Sequence, residues 1–161
     1  MSGPRHFDSP AELAAISAAD LGGSSWFLID RELIERFAQV TGDHQWIHVD
    51  PERSAAGPFG APIAHGYLLL ALVPQLLAEV FQIGGVALTV NRGLHEVRFL
   101  QPVPAGSRIQ LTVSSLKVRP RPQGRWQADV STAARLADTD KIAFSARVDY
   151  LYQQDMSVLN I

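Results

Sequence analysis

Cysteine is absent from all 161 residues. The chain can therefore form no disulfide, thiolate nucleophile or thiolate-ligated metal site, and a reducing cytoplasmic setting suits it. An excess of one charge is missing too. The formal net charge is −2 with 19% charged residues, so no basic field is available to draw in nucleic acid. Neither common phosphate-cradling glycine loop occurs, and Gly84-Gly85 reads as a turn. Ser54, Ser114 and Ser145 lack the strand-turn-helix context of a nucleophilic serine. Residues 1–13 contain no apolar core of signal-peptide type. The longest apolar run, residues 63–81, is interrupted by His65, Gln75 and Glu79 and bent by Pro74. It reads as a kinked, buried helix and not as a membrane span. No repeat, low-complexity stretch or linker divides the chain, and 47% apolar content suits a single domain over residues 1–161.

What is present begins with helix punctuation. Ser9-Pro10-Ala11-Glu12 has the form of a capping box with proline at the first helical position, opening a short helix to about Ala18. Asp30 is an N-cap for a helix from Arg31, with Leu33, Ile34 and Phe37 on its apolar face. Gly42 is its natural end, because glycine takes the left-handed C-cap conformation at little cost. Asp50-Pro51 reads as another cap with proline at the first helical position. Between these two helix ends lies His-Gln-Trp-Ile-His, preceded by Asp43.

Asp43 and His48 are thereby placed on a sharp turn where the backbone can bring them together. A carboxylate beside an imidazole is a serviceable acid/base pair near neutral pH, and these two are the candidate catalytic residues. His44 and His48, with Asp43 and Asp50, imitate a metal-binding spacing. That spacing needs one continuous helical face, which Gly42 and Asp50-Pro51 interrupt, so no metal is expected. His65-Gly66 opens the apolar helix. The free N–H groups and positive dipole end there suit a developing oxyanion, and glycine permits close approach by a ligand or a neighbouring element. His65 is read as the anchor of this turn. Tyr67 and Trp46 are candidates to line the substrate pocket.

From Val86 onward the period changes. Residues 86–100, with an irregularity at Asn91-Arg92-Gly93, then 108–118, 126–137 and 141–152 read as four successive antiparallel strands, with 26–29 as a further strand near the start. The near-all-round apolarity of residues 63–81 calls for a helix enclosed by protein, and a curved sheet provides the enclosure. The five arginines between Arg98 and Arg125 read as a solvated strand face, or as cations that reach a phosphate-bearing carrier. Residues 153–161 show no clear periodicity and read as a loose tail.

Thr41-Gly42-Asp43 with Ile47-His48-Val49-Asp50, then Ile63-Ala64-His65-Gly66, then Phe99-Leu-Gln-Pro-Val-Pro-Ala-Gly106 together resemble the signature of the MaoC-like dehydratases. These are the (R)-specific enoyl-CoA hydratases of the hot-dog fold, and the motifs occur in the family's order from about Trp26 to Tyr152. The resemblance implies an α+β hot-dog fold, an antiparallel sheet wrapped around a long buried helix, built as a meander with the helix inserted after the first strand. It also implies reversible addition of water across a trans-2-enoyl thioester, with Asp43 and His48 as the catalytic pair. The substrate would be an acyl-CoA or acyl carrier protein thioester, no cofactor would be required, and a homodimer paired edge to edge would build its sites near the junction. Where the family has Asn-Pro this chain has Gln45-Trp46, a variant closer to its nodulation-protein-N-like branch. Where some relatives carry a serine in the long helix, Ala71 stands here. A hot-dog acyl-CoA thioesterase and a non-catalytic acyl-thioester-binding subunit remain alternative readings.

Overall fold

The structure, a computed structural model, describes residues 3–16, 18 and 21–155. Its elements run β1 (Arg5–Phe7), α1 (Pro10–Ala14), β2 (Phe27–Ile29), α2 (Arg31–Thr41), α3 (Trp46–Val49), α4 (Pro51–Ala55), α5 (Gly66–Ala71), α6 (Val73–Val80), β3 (Phe81–Ile83), β4 (Val86–Phe99), β5 (Ser107–Arg121), β6 (Arg125–Leu136) and β7 (Ile142–Gln154). β2, β5, β6, β7 and β4 form, in that order, one antiparallel sheet of five strands. α5 and α6 lie against its inner face. Leu69, Val73, Leu76 and Val80 share one core with Ile109, Leu111, Val130, Phe144 and Val148. This is the α+β arrangement expected from the sequence.

Five expectations need correction. The meander order would place β4 beside β5, but β4 pairs with β7 at the far edge. Residues 100–106 make the crossing, held against the segment before α5 by Ala64 N–H to the Val103 carbonyl and Ala105 N–H to the Pro62 carbonyl, both 2.8 Å. The helix is broken where Pro74 implied a kink, and the break goes further than a kink, dividing it into two helices joined at Leu72. Pro74 in the first turn of α6 offers no N–H to the turn before it and crowds the carbonyl there. Nor is this helix enclosed all round: Tyr67 (75% exposed), Ala71, Pro74, Gln75 and Ala78 form an open stripe, because a single sheet covers only one face. α1 ends at Ala14 and not near Ala18, its last turn closed by Ala15 N–H on the Glu12 carbonyl. The β5–β6 hairpin continues past 118 to Arg121, with Pro120 opposite Trp126. Proline is tolerated there because β2 pairs with β5 only at residues 107–109, leaving this end an edge.

The irregularity in β4 is present as register shifts at 91/93 and again at 86/88 and 95/98. β1 and β3, which the sequence did not announce, pair in parallel as a small second sheet. The expected tail divides: β7 runs through Gln154, and residues 156–161 lie outside those described.

Candidate active site

The site is built by one turn and one extended segment that grip each other. α2 starts where Asp30 accepts the Leu33 N–H at 2.8 Å, and it ends at Gly42, whose φ of 77° is left-handed. The chain then turns, with the Asp43 carboxylate accepting the Gln45 N–H at 3.4 Å. α3 follows at once and presents His48, which is 7% exposed. Asp50 caps α4 by accepting the Arg53 N–H at 2.9 Å, with Pro51 in its first turn.

Residues 63–65 lie alongside this turn. Ile63 N–H donates to the Ile47 carbonyl at 2.9 Å. His48 Nδ1 meets the Ile63 carbonyl at 2.7 Å, and His65 Nε2 meets the Asp43 carbonyl at 2.9 Å. A carbonyl oxygen only accepts, so His48 carries its proton on Nδ1 and His65 on Nε2. The Nε2 lone pair of His48 is left free for chemistry. The Nδ1 of His65 is buried without a partner. The two rings stack at 3.8 Å and 26°, and Phe37 packs on His65 at 5.1 Å. Burial pushes the His48 imidazole below its ordinary pKa of 6.5. The bond to Ile63 opposes that shift, His65 adds to it, and the Asp43 charge opposes it more weakly.

Asp43 and His48 thus converge as expected, on the wall of a cleft of about 480 Å³ whose lining also includes His65, Gly66, Tyr67 and Phe99. Gly66 sits at the first position of α5, where its N–H has no partner within the helix. The Phe99 ring packs onto its Cα so closely that an added Cβ would lie 2.8 Å from the ring. Both readings of Gly66, a free N–H and a close packing point, describe the same residue. Phe99, on β4 more than 30 positions away, was legible only as part of a signature and not as a wall of the site. Tyr67 lies at the rim.

Trp46 is not part of the lining. Two positions before His48 on one helix, it projects roughly 200° away. Its ring lies against Gly57, with the Arg53 guanidinium 4.5 Å above it. The arginines also take the plainer role: Arg119 bonds to Asp129, Arg121 to Gln127 and Arg125 to Gln153 across the sheet.

One donor atom each from Asp43, His48 and His65 lie within 4.8 Å of one another. A metal ion needs the in-plane lone pairs of its histidines to converge at about 2 Å, and nearly parallel stacked rings do not aim at one point. The arrangement fits proton transfer better than metal binding. A second cavity of about 380 Å³ lies farther along the helix, lined by Pro74, Leu77, Tyr150 and Tyr152 among others. Burial raises both of these tyrosine hydroxyls above their ordinary range, which leaves them unsuited to acid/base work near neutrality.

The family described as MaoC like domain matches residues 14–134. The chain is 49% identical over 139 residues to 3-hydroxyacyl-thioester dehydratase Z of Mycobacterium tuberculosis, covering 86% of this chain and 92% of that protein. It is 42% identical over 106 residues to nodulation protein N of Rhizobium meliloti, covering 65% and 66%. Among solved structures, the R-hydratase PhaJ1 of Pseudomonas aeruginosa in its unliganded form matches with a TM-score of 0.63 and 23% identity over 86% of each chain. That last likeness is one of fold, the α+β hot-dog fold.

Proposed function

We propose, from the premise that this chain belongs to the family of MaoC like domains, that it is a hydro-lyase interconverting trans-2-enoyl and (R)-3-hydroxyacyl thioesters. The observation that carries the reading is the pairing of a buried His48, its proton held on Nδ1 by the Ile63 carbonyl, with the Asp43 carboxylate across one cleft. A water between them would give a proton to His48 Nε2 as its oxygen bonds to C3. The C2=C3 electrons move onto the thioester, where the oxygen gains charge facing the Gly66 N–H. C2 then takes up a proton on the same face, and the pair returns to its starting state. Asp43 orients the water and shares the proton transfers. General acid/base assistance of this kind contributes about 10²–10⁴-fold, and one oxyanion donor about 10²–10³-fold. Protons and electrons balance within substrate, water and the two side chains, so the reaction requires no cofactor.

The substrate is a thioester of coenzyme A or acyl carrier protein. Its apolar chain fits the cleft's other lining residues, among them Phe59, Leu69 and Leu100. The partner in solution is a second copy of the chain, because among the described residues β4 leaves one edge unpaired with Leu88, Val90 and Leu94 exposed. No helix among the described residues is long and apolar enough to cross a membrane, and the cytoplasm is the compartment this reading gives the enzyme.

The test is loss of the conjugated-enone absorbance of crotonyl-CoA and longer enoyl-CoA thioesters, with the product's stereochemistry determined. Asp43→Asn or His48→Ala should lower turnover by at least about 10²-fold in a folded protein. Undiminished turnover in either variant removes that residue from the mechanism. Release of free thiol from a saturated acyl-CoA, read with a thiol-trapping dye, would instead make the protein a thioesterase.

A further inference from the structure

Asp43, His48 and His65 form one cluster on the wall of the cleft, and of these three His65 is the one the hydration step does not use. It is 2% exposed, and its Nδ1 finds no donor. A buried ring nitrogen without a partner is a cost that an apolar residue of similar volume would not incur. Two contacts show what the imidazole supplies instead. Its Nε2–H donates to the Asp43 carbonyl at 2.9 Å, tying down the turn that carries the carboxylate. Its flat face lies 3.8 Å from His48, while Phe37 of α2 packs against it at 5.1 Å. A leucine or phenylalanine would fill the space without donating, and a glutamine would donate without offering a flat face.

We propose that His65 is a positioning residue for the hydration reaction: it holds Asp43 through the backbone bond and the plane of His48 through the stack, so that carboxylate and imidazole face one water. The inference rests on the hydratase reading of the site. The stack has an electrostatic side as well, since a second imidazole in contact disfavours charge on His48. The groups facing His48 are few. The turn after α2 brings Asp43, and the segment before α5 brings His65 and the Ile63 carbonyl. α5 brings Tyr67, and the stretch 99–103 brings no ionisable side chain. Asp50, at the end of α3, is engaged in capping α4.

Three variants separate the two contacts. H65F keeps a flat ring and loses the donor, H65Q keeps a donor of matching reach and loses the ring, and H65N is too short to reach the Asp43 carbonyl. H65F and H65N should lose about 10²-fold in kcat with little change in KM, as misplacement by about 1 Å does, while H65Q stays within about tenfold of the parent. In H65Q and H65N, where a polar amide replaces the ring, the His48 ring, followed by NMR, should titrate at higher pH than in the parent, because the neighbouring imidazole is gone. Where H65F fails to fold, as judged by cooperative melting, the ratio of H65Q to H65N carries the same information. Parental kcat in H65F, H65Q no better than H65N, or an unmoved His48 titration in H65Q and H65N would each overturn the proposal. The NMR measurement needs no substrate. A parent protein inactive on every enoyl thioester would defeat the hydratase reading, while the titration would still decide whether His65 governs His48.

Discussion

β6 and β4 are long strands of one sheet that differ in what covers them. β6 has a neighbour on each side, and its inward residues Ala128, Val130 and Ala134 are wholly buried. Among the described residues β4 has a neighbour on one side only, its pairing with β7 slips at three places, and Glu96 adopts a left-handed φ of 53°. Bulges of this kind blunt an open edge against indiscriminate pairing. Yet β4 also leaves Leu88, Val90, Leu94 and Phe99 between 39% and 56% exposed, and Phe99 reaches the cleft. The exposed edge strand of the sheet therefore ends, at Phe99, on the wall of the cleft. What completes β4 would also shape the site.

Phe99 and Phe144 make the comparison sharpest, because they are register partners on β4 and β7. Phe144 is fully buried, whereas Phe99 is half-exposed. Phe144→Ala should cost about 3–5 kcal/mol in urea denaturation, and Phe99→Ala about 1 kcal/mol. Equal costs would mean that β4 is as covered in solution as β7.

Next in size is Gly66→Ala, whose new Cβ must displace the Phe99 ring. It should cost about 1–3 kcal/mol by overpacking and lower kcat/KM, with Phe99→Ala in the same chain restoring most of the stability. Additive costs in that double-mutant cycle would show that the ring does not depend on the glycine.

Leu94→Lys, far from the core, should change intrinsic stability by only about 0.5 kcal/mol. By sedimentation equilibrium, however, it should shift the protein from dimer to monomer. A parent already monomeric, or a variant still dimeric, would put the interface elsewhere than β4.

The smallest effect concerns pH. His48 must be unprotonated to act as a base, and burial lowers its pKa in the folded enzyme. Activity should therefore fall only as pH drops through a value below 6.5, the ordinary imidazole value. An acid limb of kcat/KM at or above that pH would contradict the burial of His48, the cause that lowers its pKa.

Much of the site could be read from caps. Asp30, Gly42 and Asp50-Pro51 are each local instructions, written within about one helical turn, and they leave Asp43 and His48 on the short stretch between helix ends where the structure has them. His65 was read as the anchor of its turn from its place beside Gly66 and not from a cap, and its bond to the Asp43 carbonyl gives that anchor a partner. Trp46 misled because the four-residue helix α3 was not anticipated. Read as loop, the chain could turn an indole into the pocket; read as helix, it cannot also present His48 there. The order of strands failed for a different reason, since alternation reveals that 86–99 is a strand and says nothing about which neighbour it takes.

Local rules were enough for the two ends of α2, the start of α4, the acid and imidazole between them, the strands of the large sheet and the apolar segment before it, because capping, turn formation and side-chain period act between residues close along the chain. The tertiary structure alone decided that β4 crosses to the edge beside β7, that Phe99 seats on Gly66, and that the Ile63 carbonyl fixes the proton of His48 on Nδ1. Each of these joins residues 15 or more positions apart. Such contacts form only when the whole core closes, and their partners are chosen by shape and by the need to satisfy buried polar atoms.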